Sequence, residues 1–301
     1  MALKGRLRLK WDVDFEDLGE ALQSLIGQPR LVLEQVRRRL PFRRRIGLVL
    51  SGGGERGFAH IGVLSVLERE GIIPDVVAGT SAGAVVGAVY CAGWSTRQML
   101  QLAAGLNWTR LGKPRWNLLR SMGILDGARF EEYFRELVGD ITFEDLAIPL
   151  TVMAADLLTG EEVPIRSGPL APAVRASSAL PVIFNPVPYN GRLLVDGGLV
   201  NNLPITSALE MGADYVIAVN VSQATEPTEP PKNILDVLQL AFVTMRRNAM
   251  RDEPAADCLI VPRIGDTDKL RLTSGMGRIY QAGVLAAEAA LPQLRKDLGL
   301  S

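Results

Sequence analysis

Ser81 lies in the pentad Gly79, Thr80, Ser81, Ala82, Gly83. Glycines two residues before and after a serine suit a sharp strand-to-helix turn that lifts a hydroxyl above a sheet, because only glycine tolerates the crowding on either side. A helix starting just after the serine would aim its positive end at negative charge developing there. A second segment, Gly52, Gly53, Gly54, Glu55, Arg56 and Gly57, follows an apolar run. Consecutive glycines leave backbone N–H groups free to face a cavity, as an oxyanion hole requires. The same letters fit Gly-x-Gly-x-x-Gly, the dinucleotide-binding fingerprint. That reading expects an acid at the far end of the next strand, but Asp75 stands at its start and Gly79 to Ser81 at its end. A nucleotide cofactor is therefore disfavoured. Arg56 has two readings, an anion-binding side chain or a loop-holding one.

A serine nucleophile needs a base. The chain has one histidine, His60, and it precedes Ser81. In the usual α/β-hydrolase order the acid and then the histidine follow the nucleophile, so that arrangement is excluded. His60 falls one turn into the helix after the glycine loop, where its readings are a loop-fixing residue or a proton carrier. The acid is Asp196, which ends the run Leu193, Leu194, Val195 and precedes Gly197 and Gly198. An ordinary Asp-Gly turn is the alternative. A carboxylate with an ordinary pKa of about 4 is a weak base at neutral pH. It still serves if it touches the serine in a dry site, where proton transfer accompanies attack. The expected system is a Ser81–Asp196 dyad.

Several elements must position these groups. Residues 46–50 read as a buried strand, 58–70 as a helix ended by Gly71, 75–79 as a second strand, and 82–92 as a helix stopped by Gly93. This order implies a parallel sheet with right-handed crossovers. Further on, a helix is expected over 128–138, a strand over 148–155, a turn from Thr159, and an apolar run over 193–195 leading into Asp196. A helix over 204–211 has Pro204 in its first turn. A strand over 215–219, a Pro- and Glu-rich surface loop over 225–232, and long helices over 233–251 and 277–298 complete the chain. Residues 76–96 carry no charge and space Gly79, Gly83 and Gly87 four apart, as a membrane-helix dimer would. The Gly-Thr-Ser turn and the Gly- and Ala-rich composition favour strand, turn and buried helix instead.

The 301 residues carry no net charge and are 48% hydrophobic, which excludes general disorder and gives no basis for nucleic-acid binding. Cys91 and Cys258 match no metal spacing, so two buried thiols in a reducing, cytoplasmic compartment are expected. No secretory signal is read in residues 1–17. Residues 1–45 read as an appendage to a domain of residues 46–301. Residues 31–40 have helical apolar spacing, and six arginines fall within residues 37–45. Their local positive field reads either as attraction to an anionic membrane surface, which makes the protein peripheral on it, or as a solvated or packing face.

Taken in order, Gly52 to Leu64, Gly79 to Gly83 and Asp196 to Pro204 resemble the patatin-like phospholipase family, and Ala176 to Phe184 resembles the segment before that family's acid. The likeness runs from about Ile46 to Val221. It is similar to the bacterial single-domain members and to the catalytic domain of neuropathy-target-esterase-like proteins. The resemblance implies an α/β fold, with a mostly parallel central sheet flanked by helices in a three-layer sandwich. It implies a Ser81–Asp196 dyad and an oxyanion hole from the backbone around Gly52 to Arg56, with no metal and no cofactor. The family includes phospholipases, lysophospholipases, acylglycerol lipases and acyl transferases. Hydrolysis of a lipid ester through an acyl-serine is the first reading, acyl transfer to a lipid alcohol the second, and a non-catalytic lipid-binding regulatory role the third.

Overall fold

The computed structural model of the chain describes residues 44–105, 123–125, 127–222, 230–250, 253–264 and 272–300. The expectations for residues 1–43 of the appendage, and for residues 225–229 of the Pro- and Glu-rich loop, lie outside the described residues.

The elements begin with β1 (Ile46–Leu50), α1 (Phe58–Arg69), β2 (Val76–Thr80), α2 (Ala82–Cys91), α3 (Thr96–Gly105), β3 (Gly123–Leu125) and α4 (Ala128–Val138). Next come β4 (Leu150–Asp156), β5 (Glu162–Ile165), α5 (Leu170–Ser177), β6 (Val182–Phe184), β7 (Val187–Tyr189) and β8 (Arg192–Asp196). The last are α6 (Ile205–Glu210), β9 (Tyr215–Val219), α7 (Ile234–Asn248), β10 (Cys258–Ile260) and α8 (Leu272–Leu298). Every residue of β1, β2, β4 and β9 is buried, which explains their near-continuous apolar character: both faces of the sheet are covered. Pro204 stands just before α6 rather than inside its first turn.

Among the described residues the central sheet has eight strands and is mostly parallel. β10, β9, β1, β2 and β4 pair in parallel. The antiparallel members are β5 and β8, both on β4, and β7 on β8. β3 and β6 form a separate parallel pair.

Register on β4 decides where the strand ends meet. β5 pairs with Val152 to Ala155 and so occupies one edge of β4. β2 pairs with Leu150 to Met153, and β8 with Ala154 to Asp156. Each overlaps the stretch held by β5, and a strand has only two hydrogen-bonding edges. β2 and β8 therefore share the opposite edge and meet head to head. Thr80 faces Met153 and Asp196 faces the next residue, Ala154.

α8 packs against α1 and touches the sheet directly at β10 and, through the Tyr215 hydroxyl on Asp297, at β9. A Cβ at Gly62 of α1 would strike the carbonyl oxygen of Tyr280, and one at Gly283 of α8 would strike that of Ala59. The two helices thus cross backbone to backbone. Among the described residues no helix is long and apolar enough to cross a membrane.

We expect Gly62→Ala to destabilise the fold by about 1–3 kcal/mol, because overpacking against a fixed backbone outweighs the roughly 1 kcal/mol of helix propensity gained. Gly277→Ala, on an exposed part of α8 with no atom near its Cβ, should instead be neutral or stabilising. Urea-unfolding midpoints of the two variants check the contrast.

Candidate active site

β2 ends at Thr80 and α2 starts at Ala82, leaving Ser81 alone in the turn with φ 52° and ψ −119°. A non-glycine residue there is strained, by about 1–3 kcal/mol, and persists only when its surroundings hold it. The flanking glycines answer to space. A Cβ at Gly79 would lie 2.6 Å from the Gly83 carbonyl oxygen, and one at Gly83 would strike that of Leu50. The Ser81 backbone N–H donates to Ser177 Oγ at 2.8 Å. Its hydroxyl donates to Asp196 Oδ2 at 2.7 Å.

Asp196 ends β8 where that strand meets β2, and it is buried. Its other carboxylate oxygen, Oδ1, accepts the N–H of Gly198 at 2.8 Å, and its backbone N–H donates to the Ala179 carbonyl at 3.0 Å. A Cβ at Gly197 would strike the Met153 carbonyl oxygen, so the chain can turn here only without a side chain. It then passes over the sheet end: Thr80 Oγ1 donates to Asn201 O at 3.0 Å, and the Gly52 N–H to Asn202 O at 3.2 Å.

The glycine loop is divided in its use. The Gly52 N–H is taken by Asn202, and the Arg56 N–H donates to Gly53 O at 3.3 Å. The N–H groups of Gly53 and Gly54 have no acceptor among the described residues. Gly54 has φ +59°, left-handed backbone that suits glycine, and it lines the same cavity as Ser81. Gly57 packs where a Cβ would sit 2.8 Å from Ala82 Cβ, which brings the loop against the elbow. Glu55 is exposed and Arg56 is half-buried. The sequence expectation spread the donors over Gly52 to Gly57; of these, the Gly52 and Arg56 N–H groups are hydrogen-bonded within the protein.

His60 is fully buried, and its Nε2 pairs with the Ser51 carbonyl at 2.8 Å. Since a carbonyl only accepts, Nε2 carries the proton. Burial lowers its pKa to about 4, against a smaller opposing effect of that hydrogen bond. The ring is neutral at ordinary pH and anchors the loop at Ser51. Ser51 Oγ in turn accepts the Val221 N–H at 2.9 Å.

A cavity of about 300 Å³ opens beside the Ser81–Asp196 pair. Its walls include Ile61, Val86, Met99, Phe130, Phe134 and Leu180, and are almost wholly apolar. Such a space suits an aliphatic chain with its polar end at the hydroxyl. Among the described residues, no group of three or more His, Cys, Asp or Glu side chains is placed to hold a metal ion. Sequence reasoning missed Ser177. The stretch from Ala176 to Phe184 was marked, but nothing in it distinguishes Ser177 from its neighbour Ser178.

Comparison with known proteins places this geometry in a wider setting. The family profile described as patatin-like phospholipase matches residues 48–209, more than half of the chain. An uncharacterized NTE family protein of Mycobacterium bovis is 38% identical over 184 residues, covering 59% of this chain and 49% of that protein. The neuropathy target esterase of Drosophila melanogaster is 36% identical over 186 residues, covering 58% of this chain and 13% of its own. This chain thus spans about half the length of the mycobacterial relative and a small part of the fly protein. The crystal structure of VipD from Legionella pneumophila superposes with a TM-score of 0.57 at 17% identity, covering 83% of this chain and 67% of that one, a likeness of fold.

The lowered pKa of His60 has a stability consequence. Between about pH 6.5 and about pH 4 the unfolded chain binds a proton that the folded one refuses. Stability contributed by neutral His60 is therefore complete above the unfolded value and is lost as pH falls through that window, by up to about 3 kcal/mol. Denaturant midpoints of the wild type should drop from pH 7 to pH 5 more steeply than those of His60→Gln.

Proposed function

The chain belongs to the patatin-like phospholipase family, and from that footing we propose that residues 46–301 form a serine lipid-acyl hydrolase working through Ser81 and Asp196. The observation that carries this reading is the 2.7 Å hydrogen bond from Ser81 Oγ to Asp196 Oδ2 at the wall of an apolar cavity. The positions of the other groups support it.

In the proposed cycle the substrate's acyl chain fills the cavity and its ester carbonyl meets Ser81. Asp196 takes the hydroxyl proton as Ser81 Oγ attacks the carbonyl carbon. The N–H groups of Gly53 and Gly54 receive the resulting oxyanion; one such donor typically contributes about 100- to 1,000-fold in rate. The tetrahedral species collapses as Asp196 hands its proton to the departing alcohol, leaving an acyl-serine. Water then gives a proton to Asp196 and attacks the acyl carbon; as this second tetrahedral species collapses, Asp196 returns the proton to Ser81 Oγ, which releases the fatty acid and restores both groups. Asp196 fits this part because Gly198 holds Oδ1, leaving Oδ2 aimed at the serine. The arginines of residues 37–45 are proposed to draw the domain to an anionic lipid surface, an attraction that weakens with added salt.

A fluorophosphonate should label the wild type at Ser81 and leave Ser81→Ala unlabelled. Asp196→Asn keeps the shape but not the charge, and turnover of a lipid ester should fall by about 100- to 10,000-fold. Undiminished turnover in Asp196→Asn would refute the dyad. Absence of wild-type labelling in detergent and in liposomes would favour a lipid-binding role instead.

A further inference from the structure

The β2–β4 ladder stops at Thr80 and Met153, so the Ser81 amide has no strand partner. Its positive φ turns the chain that follows out of line with β2. The acceptor that meets the amide is Ser177 Oγ, at 2.8 Å. Ser177 is fully buried at the end of α5, and its own hydroxyl proton goes to the Met153 carbonyl at 2.6 Å. The donor side of this hydroxyl is thus committed to β4, and its lone pair is left facing Ser81.

Two residues further on, the Ala179 carbonyl accepts the Asp196 N–H at 3.0 Å. One three-residue stretch therefore grips both members of the pair, Ser81 through a side chain and Asp196 through the backbone. Met153 O is a shared anchor, since it also lies against Gly197, where a Cβ would strike it. Ser178, Ala179 and Leu180 line the cavity, whereas Ser177 is not among the lining residues.

We propose that Ser177 is a positioning residue: its hydroxyl ties the strained backbone of Ser81 to β4 and so sets the contact between Ser81 Oγ and Asp196. The inference rests on the reading of Ser81 as nucleophile. Without the hydroxyl, the Ser81 N–H is left without its acceptor and the elbow is free to relax its φ. The Oγ–Oδ2 contact then lengthens while the cavity wall stays intact. The chemical step suffers and substrate binding does not.

The test compares wild type, Ser177→Ala, Ser177→Thr and Ser81→Ala on one soluble ester, with active sites counted by fluorophosphonate titration so that kcat refers to folded molecules. We expect kcat of Ser177→Ala to fall by about 10- to 100-fold, the scale of a small misplacement of reacting groups, with KM within about twofold of wild type. Ser177→Thr, which restores a hydroxyl, should recover most of the rate. A wild-type kcat in Ser177→Ala, or a Ser177→Thr as slow as Ser177→Ala, overturns the inference. If Ser177→Ala does not fold, Ser177→Cys keeps the volume, weakens the acceptor and is held to the same kcat criterion. Ser81→Ala separates the two layers. If it still turns over, the nucleophile reading fails; if it is dead while Ser177→Ala is fully active, only the role of Ser177 fails.

Discussion

Two strands meeting head to head on one edge of β4 are the constraint on which the site depends. β2 arrives parallel to β4 and stops at Thr80; β8 arrives antiparallel and stops at Asp196, one residue further along the same edge. Their ends bring a serine and an aspartate 115 residues apart into a 2.7 Å hydrogen bond. Side chains alternate between faces of a sheet, so a one-residue slip of β8 would turn Asp196 to the other face and leave Ser81 without it. Gly197 makes the junction feasible, because the chain must leave β8 against the Met153 carbonyl.

A rigid frame is what allows the strain at Ser81 to persist. The flanking strands are buried along their whole lengths, and the elbow glycines allow α2 to press its first turn against β1 and β2. Buried polar groups then close the remaining gaps: Ser177 on the Ser81 amide, Thr80 on the Asn201 carbonyl, and His60 on the Ser51 carbonyl. Each lies where an unmatched backbone group would otherwise be costly. His60 illustrates how far a chemically versatile residue can be taken out of proton chemistry. Burial holds it neutral, and its protonated nitrogen is spent on a carbonyl.

The proposed chemistry draws on the contrast between this polar seam and the apolar cavity beside it. A hydroxyl and a carboxylate sit at the wall of a space lined by aliphatic and aromatic side chains. Water is poorly accommodated there, and electrostatic contacts gain strength as the local dielectric falls. The loop amides of Gly53 and Gly54 are backbone groups on a tethered turn, held without reorganisation.

Much of this was legible in one dimension. The Gly79–Gly83 pentad, the glycine run from Gly52 and the Asp196–Gly198 turn are local signals, because strained turns and close backbone approaches demand glycine whatever the rest of the chain does. The buried strands were legible for a similar reason: five apolar residues in a row have few other uses. The short antiparallel strands β5 and β7 were not, since their mixed residues carry no clear period and are paired only because β4 and β8 lie beside them. Nor was the division of labour in the glycine loop, where Gly52 is withdrawn by the Asn202 carbonyl, 150 residues away. Sequence by itself determined which residues could be nucleophile and base, by their types and by the turns that glycine enforces. Tertiary structure decided which groups meet, because register on β4 and the partner of each buried hydrogen-bonding group depend on distant segments that local pattern does not encode.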